Sequence, residues 1–224
     1  MTSGLTSTMA PYAAVIFDMD GVLVDSEPQH ERAFREVFAD LGYGDRHGIH
    51  FPDYYGRSDR ALWLDFMAQH QPPQPLETLT RLKEDRLLTL LAAEEPIFEG
   101  VPDLVATLAS RTPLAVASGS THTVIQAVLS MRELRRHFPV VVSAQDVLRG
   151  KPDPDIFLLA AQKLGVDPTS CVVVEDSAAG VTAARAAGMR VIGITNSLPA
   201  ERLSHAHAVV QDYDELGRLL LGVS

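Results

Sequence analysis

The chain has 224 residues, of which 46% are hydrophobic, and a formal net charge of −10. This length suffices for one large core, or for a core with a small second unit. The acidic balance argues against nucleic acid or an anionic membrane as a general partner, and no apolar run reaches transmembrane length. An anionic substrate must therefore be attracted by local positive groups.

The N-terminal segment, residues 1–11, is small and polar. It has neither the basic start nor the apolar middle of a secretory signal peptide, so we expect a disordered lead and a cytoplasmic protein. The single cysteine, Cys171, cannot form an internal disulfide, and its place at the start of an apolar run suits a small buried residue. A monomer is expected, although the sequence leaves the oligomeric state open.

The first predicted element is a strand at residues 13–17, where an apolar run ends in Asp18 and Asp20. In extended chain, side chains two residues apart point to the same side, and Gly21 then permits a sharp change of direction. Two like charges at the end of a buried strand repel each other unless a cation lies between them. A hard divalent cation such as Mg²⁺ would remove that cost. For an isolated Asp-x-Asp pair, an acidic turn that caps the strand is the simpler interpretation.

The next part of the chain, residues 28–96, has only helical patterns. Apolar residues at helical spacing predict helices up to Leu41, over residues 61–68 and over residues 76–93. Gly42 ends the first helix, a loop is expected over residues 43–55, and the proline-rich segment 71–75 separates the other two helices. We therefore expect a small all-helical cap domain over residues 28–96.

From residue 97 onward, strands alternate with helices. Strands are predicted at residues 113–117, 139–143, 171–174, 190–194 and 208–210, and helices at residues 102–109, 123–129, 155–164, 178–187 and 214–221. Such alternation implies right-handed crossovers and a doubly wound parallel sheet. The predicted fold is an α/β core of residues 12–27 and 97–224, with the helical cap inserted after its first strand.

Polar residues follow three of these strands. Asp18, Ser118 and the pair Glu175–Asp176 each come at the carboxyl end of a different strand, where ligands of open α/β sheets bind. Taken singly, Ser118 is an ordinary loop hydroxyl, and the acids 175 and 176 suit an N-terminal helix cap. Convergence of three clusters at one edge is harder to obtain by chance, so we predict a site there.

The string from Asp18 to Ser26 closely resembles the first motif of the haloacid dehalogenase superfamily of aspartate-nucleophile phosphohydrolases. Ser118 and Lys151 match its second and third motifs, and residues 175–177 match the fourth. The resemblance covers the chain from about residue 12, and the helical insertion lies where one branch of the family carries a small cap. The chain is most similar to the beta-phosphoglucomutase-like branch, which includes sugar phosphatases, phosphoglycolate phosphatases and a mutase.

The resemblance implies a role for each matching residue. Asp18 is the expected nucleophile, Asp20 the general acid/base, and Ser118, Gly119 and Lys151 the phosphate-binding residues. The residues expected to hold Mg²⁺ are Asp18, Asp20, Glu175 and Asp176. His30, Arg57 and Lys83 lie where relatives contact substrate from the cap or the entrance, although a solvated surface position suits Arg57 and Lys83 equally well.

The implied function is Mg²⁺-dependent hydrolysis of a sugar phosphate or similar small phosphorylated metabolite through an aspartyl-phosphate. A beta-phosphoglucomutase-type mutase is the main alternative, because it shares that intermediate. Asp59 counts against it, since the related mutase has an arginine at this position. A receiver-type signalling domain also combines a parallel sheet, acids, Mg²⁺ and a lysine, but it lacks a helical insertion after its first strand.

Overall fold

The computed structural model describes residues 11–54 and 58–223. Six parallel strands form one sheet in the order β3-β2-β1-β4-β5-β6. The strands are β1 (Ala14–Phe17), β2 (Leu114–Ser118), β3 (Val140–Ser143), β4 (Cys171–Glu175), β5 (Arg190–Ile194) and β6 (Ala208–Val210). The predicted fold class, a doubly wound parallel sheet with a helical insertion after the first strand, is confirmed.

Eight α-helices accompany the sheet within the described ranges. They are α1 (Glu27–Asp40), α2 (Asp59–His70), α3 (Leu76–Glu94), α4 (Val101–Ala109), α5 (His122–Ser130), α6 (Asp155–Leu164), α7 (Ala178–Ala186) and α8 (Tyr213–Leu221). None of the helices in this part of the chain combines the length and the hydrophobicity that crossing a bilayer requires.

Short 3₁₀ turns are the elements that the sequence pattern did not predict. Two of them, Gly44–His47 and Phe51–Tyr54, lie in the expected loop, and a third spans Met131–His137. The first two bury His47 and Phe51 beneath the cap helices. Each of these two turns has four residues, about one helical turn, so it leaves no periodicity in the sequence.

Strand β1 is buried on both faces of the sheet. Val15 and Phe17 belong to the core shared with helices α4, α5 and α8, whereas Ala14 and Ile16 face α6 and α7. All four side chains are at most 1% exposed. Burial on both faces explains why the sequence of β1 is continuously apolar instead of alternating.

The helical insertion has an apolar core of its own. Aromatic rings from α1 and α2 pack together, with ring centroids 5.1 Å apart for Phe34 and Trp63 and 4.6 Å apart for Phe38 and Phe66. This cluster is separate from the two clusters that flank the sheet. The separate core favours an independent cap unit, and its division at residues 28 and 96 stays a prediction.

The two connections between cap and core lie side by side. Val24 and Ile97 form an antiparallel bridge, and the Asp25 amide donates to the Pro96 carbonyl at 2.8 Å. The Phe98 amide donates to the Leu23 carbonyl at 3.3 Å. The cap is thus joined to the core through one narrow, hydrogen-bonded pair of segments.

Candidate active site

The candidate site lies at the carboxyl edge of the sheet, between β1 and the strands beside it. Parallel register aligns Phe17 with Val116 of β2 and with Val174 of β4. Asp18 and Glu175 directly follow Phe17 and Val174, and Ser118 is the last residue of β2, two positions after Val116, so all three lie at the same edge of the sheet. The strand order reverses between β1 and β4, which is where open α/β sheets bind ligands.

Three buried carboxylates meet at this edge. Oxygen atoms of Asp18, Glu175 and Asp176 all lie within 4.8 Å of one another. Burial raises the pKa of Asp18 to about 7; Lys151 opposes the rise, while Glu175 adds to it. Burial, then the charges of Glu175 and Asp18, also raise the pKa of Asp176 well above its ordinary range. An oxygen-only ligand set of high negative charge is what a hard divalent cation requires, so these residues fit a metal.

Lys151 supplies a fixed positive charge beside the carboxylates. Its Nζ donates to Asp18 Oδ1 at 2.5 Å and to Glu175 Oε1 at 2.6 Å. Burial lowers the pKa of Lys151, but the two carboxylates outweigh burial and the pKa is raised overall. The alternative interpretation, a solvated lysine, does not describe this side chain, which is 11% exposed.

The carboxylate of Asp20 points to a different set of partners. Its Oδ1 accepts from Ser26 at 2.6 Å, and its Oδ2 accepts from Ser120 at 2.8 Å and from Ser118 at 3.3 Å. Burial opposes ionisation of Asp20, but His30 and these hydroxyls outweigh burial and lower the pKa to about 2. Asp20 is therefore an ionised group outside the cluster of three carboxylates, and its expected role as a metal ligand stays a prediction.

The end of β2 and the loop after it line the site beside Asp20. Ser118 is fully buried, and its Oγ accepts from the Ser120 amide at 3.0 Å. Among the described residues, and apart from the chain neighbours of Gly119, no atom lies within 4 Å of the place that a Cβ on Gly119 would occupy. The space beside Gly119 is thus open, as its predicted contact with a phosphate requires. Ser120 was not a predicted site residue, although it is the second serine of the same Ser-Gly-Ser string.

The cap reaches Asp20 through a chain of charged residues. Asp59 Oδ2 accepts from Lys83 Nζ at 2.7 Å, and Lys83 Nζ lies 2.6 Å from His30 Nδ1. That contact requires one nitrogen to donate and the other to accept. When Lys83 donates, the protonated nitrogen of His30 is Nε2, which lies 3.6 Å from Asp20 Oδ1.

The expected cap contacts differ in their accessibility. The Lys83 side chain is 1% exposed, so contact with substrate would require its ion pair with Asp59 to open. Burial raises the pKa of Asp59, but Lys83 outweighs burial and the pKa is lowered overall. Arg57 lies outside the described residues. The substrate-binding roles of Arg57, Lys83 and His30 stay predictions.

The start of α7 fixes Glu175. Its Oε2 accepts from the amides of Asp176 at 2.9 Å and Ser177 at 2.7 Å, and from the Ser177 hydroxyl at 2.9 Å. Ser177 also caps α7, because its Oγ accepts from the Gly180 amide at 3.0 Å. A Cβ on Gly180 would overlap the Glu175 carboxylate. Helix capping and a metal site are therefore compatible here, and Gly180 is a residue that motif matching did not identify.

Comparison with known proteins agrees with this geometry. The family described as haloacid dehalogenase-like hydrolase matches residues 12–188. Fructose-1-phosphate phosphatase YqaB of Escherichia coli is 38% identical over 185 residues, which are 82% of this chain and 96% of that protein. Hexitol phosphatase B of Escherichia coli is 38% identical over 191 residues, which are 83% of this chain and 85% of that protein.

Solved structures show the same arrangement of core and insertion. A mutant of CbbY from Rhodobacter sphaeroides, in complex with xylulose 1,5-bisphosphate, superposes with a TM-score of 0.80 at 30% identity. The match covers 92% of this chain and 96% of that chain. The similarity extends over the sheet and the helical insertion together.

Gly180→Ala tests whether the position of the Glu175 carboxylate matters for function. The added Cβ should displace the Glu175 carboxylate and reduce activity about 10- to 100-fold, the usual effect of disturbing the support of a metal ligand. The same change improves helix propensity by roughly 0.5–1 kcal/mol, so simple loss of helix stability cannot explain the reduction. Phosphatase kinetics and thermal unfolding measure the two effects.

Gly217→Ala in α8 is the matched control, because the nearest atom to its added Cβ would be Leu104 Cδ1 at an ordinary 3.6 Å. We expect this variant to keep full activity. Equal activity of the two variants would contradict the role given to Gly180.

The raised pKa of Asp18 predicts the pH dependence of stability without metal. The folded protein holds this proton up to about pH 7, whereas the unfolded chain loses it near the ordinary value of 3.8. The free energy of unfolding should therefore fall as pH rises from about 4 to about 7. The Asp18→Asn side chain is neutral and does not titrate in this pH range. In chelator, its melting temperature should therefore exceed that of the parent by more at pH 7.5 than at pH 5. A difference that is constant with pH would contradict the assignment.

Proposed function

The chain belongs to the haloacid dehalogenase-like hydrolases, and we propose that it is a Mg²⁺-dependent phosphatase acting on sugar phosphates or similar small phosphorylated metabolites. The observation that carries this proposal is the position of Asp18, held by Lys151 at 2.5 Å inside a buried group of carboxylates. The proposed nucleophile, a fixed cation and a set of oxygen ligands thus lie together at the carboxyl edge of the sheet. The relatives that act on fructose 1-phosphate and hexitol phosphates support the substrate class.

The metal would be held by Asp18, Glu175 and Asp176, with Asp20 as the further predicted ligand. When bound, Mg²⁺ offsets the negative charge shared by these carboxylates and an incoming phosphate dianion. Ionised Asp18 is then available as the nucleophile, since a nearby cation favours the charged form of a carboxyl group.

The first chemical step uses Asp18 and Asp20. An Asp18 oxygen bonds to phosphorus as the bond from phosphorus to the sugar oxygen breaks, which forms an aspartyl-phosphate. Asp20 gives its proton to the departing alkoxide. The phosphate dianion itself raises the pKa of the neighbouring Asp20 carboxyl, which favours the protonated form that this step needs. Ser118, Gly119 and Lys151 hold the oxygens of the phosphoryl group.

The second step regenerates the enzyme. Asp20, now ionised, takes a proton from a water molecule, whose oxygen attacks the phosphorus of the aspartyl-phosphate. The bond between phosphorus and Asp18 breaks, and inorganic phosphate leaves. His30, 3.6 Å from Asp20, is positioned to act on this carboxylate from the cap.

A cleft of about 470 Å³ lies between cap and core beside Thr121, the residue after Ser120, and we propose that it receives the sugar portion of the substrate. It is lined by hydrogen-bond donors and acceptors in mixture, among them Arg60, Arg81, Glu84, Thr121 and Gln145. Thr121 of the core donates to Glu84 of the cap at 3.1 Å, so the two units meet at this cleft. Hydroxyl groups of a sugar or polyol both donate and accept hydrogen bonds, so a mixed lining of this kind suits them.

Phosphate release should depend on both the metal and Asp18. We expect turnover of fructose 1-phosphate, a hexitol phosphate and p-nitrophenyl phosphate with Mg²⁺ and none in chelator. Asp18→Asn should abolish turnover, since an amide is a poor nucleophile, while the exposed control Asp103→Asn keeps it. Colorimetric phosphate assays measure both. Full activity in chelator, or Asp18→Asn activity within about tenfold of the parent, would overturn the proposal.

The net reaction should be hydrolysis and not transfer between two positions of a sugar phosphate. A mutase must bind a second phosphate group of its substrate with positive side chains. Here the charge of Lys83 is already neutralised by Asp59, whose Oδ2 lies 2.7 Å from Lys83 Nζ. With β-glucose 1-phosphate, with or without glucose 1,6-bisphosphate, free phosphate should be the main product. Product analysis that finds glucose 6-phosphate forming much faster than phosphate would show a mutase instead.

A further inference from the structure

Two side chains from the C-terminal part of the chain hold the turn that follows Asp18. We define residues 19–24 as the catalytic turn. Tyr213, the first residue of α8, donates from its hydroxyl to the Val22 carbonyl at 2.7 Å. Asn196, in the loop after β5, donates from Nδ2 to the Gly21 carbonyl at 2.8 Å and to the Tyr213 hydroxyl at 2.9 Å.

The catalytic turn needs these partners because its own hydrogen bonds use other groups. Within the turn, the Gly21 amide donates to the Val24 carbonyl at 2.8 Å, and the Leu23 amide donates to the Met19 carbonyl at 2.7 Å. The carbonyls of Gly21 and Val22 accept instead from Asn196 and Tyr213. Buried carbonyl groups without partners cost free energy, so the two side chains fix where the turn lies.

The position of the turn determines the space left for Asp176. A Cβ on Gly21 would overlap Asp176 Oδ2 and would lie 2.6 Å from Ser197 Oγ. Gly21 also has a left-handed φ of +75°, which glycine adopts without strain. Little room therefore separates the turn from one of the three carboxylates of the candidate metal site. A shift of the turn toward Asp176 would displace that carboxylate.

Tyr213 also contacts the second connection to the cap. Its ring lies 5.6 Å from the ring of Phe98, centroid to centroid, and a Cβ on Gly100 would be 2.6 Å from Tyr213 Cβ. The Phe98 amide in turn donates to the Leu23 carbonyl of the catalytic turn at 3.3 Å. Burial raises the pKa of the Tyr213 hydroxyl, which keeps it a donor throughout the working pH range.

We propose that Tyr213 and Asn196 are positioning residues that hold the catalytic turn, and through it Asp176, in the arrangement that binds the metal. The proposal rests on the proposed Mg²⁺-dependent function. Neither residue touches the reacting groups in this account. Their effect passes through the backbone of Gly21 and Val22.

The test compares Tyr213→Phe with Tyr12→Phe. Tyr12 is a matched control because its hydroxyl also donates to a backbone carbonyl at 2.7 Å, that of Leu220 at the other end of α8. Isothermal titration without substrate gives the Mg²⁺ affinity, and hydrogen exchange by mass spectrometry follows the peptide over residues 18–27. We expect Tyr213→Phe to weaken Mg²⁺ binding about 3- to 10-fold, the factor of one hydrogen bond of ordinary strength, and to speed exchange in that peptide.

Asn196→Ala provides a second variant in case the tyrosine change lowers folding yield. Asn196→Ala should also weaken Mg²⁺ binding and speed exchange over residues 18–27. Because Asn196 bonds the Tyr213 hydroxyl itself, the double variant should lose less binding free energy for Mg²⁺ than the two single variants lose in sum. The proposal would be overturned if Tyr213→Phe and Asn196→Ala both had the same Mg²⁺ affinity and the same exchange rate as the control Tyr12→Phe. Parent protein that binds no Mg²⁺ would contradict the proposed function, whereas normal binding in the parent and in both variants would overturn only the positioning role.

Discussion

Asp18, Glu175 and Asp176 are buried and are brought so close by parallel strand register that their oxygen atoms lie within 4.8 Å of one another. Burial and mutual repulsion both favour protonation of such groups, as the raised pKa values of Asp18 and Asp176 show. Lys151 offsets only part of this charge. An excess of negative charge of this kind favours binding of a divalent cation, which is the physical basis of the proposed metal site.

The pKa of Asp20, only two residues from Asp18, is shifted in the opposite direction. Three hydroxyls and His30 stabilise its charge, and its pKa falls to about 2. In the proposed reaction both protonation states must change: a bound cation favours the ionised form of Asp18, the proposed nucleophile, and the phosphate dianion favours the protonated form of Asp20, the proposed acid. The separation depends on the catalytic turn, which directs the Asp20 side chain toward the loop after β2.

The sequence was most informative where local pattern and chemistry coincide. The apolar run of β1 predicts a strand buried on both faces, and the polar residues after β1, β2 and β4 meet as strand order requires. What could not be predicted depends on contacts between distant residues. Asn196 and Tyr213 donate hydrogen bonds to the carbonyls of Gly21 and Val22, which lie 175 and 191 positions away in the sequence. Likewise, nothing in the sequence indicates that Asp59 pairs with Lys83, 24 positions away.

In the proposed reaction Asp18 becomes covalently phosphorylated, and direct identification of the phosphorylated residue tests this step best. The Asp20→Asn variant lacks the base for the second step, so its phosphoenzyme should accumulate during reaction with p-nitrophenyl phosphate. Rapid acid quench, digestion and mass spectrometry should then locate one phosphoryl group on Asp18. A phosphoryl group on another residue, or release of nitrophenol in amounts equal to the enzyme without any phosphorylated peptide, would contradict the account.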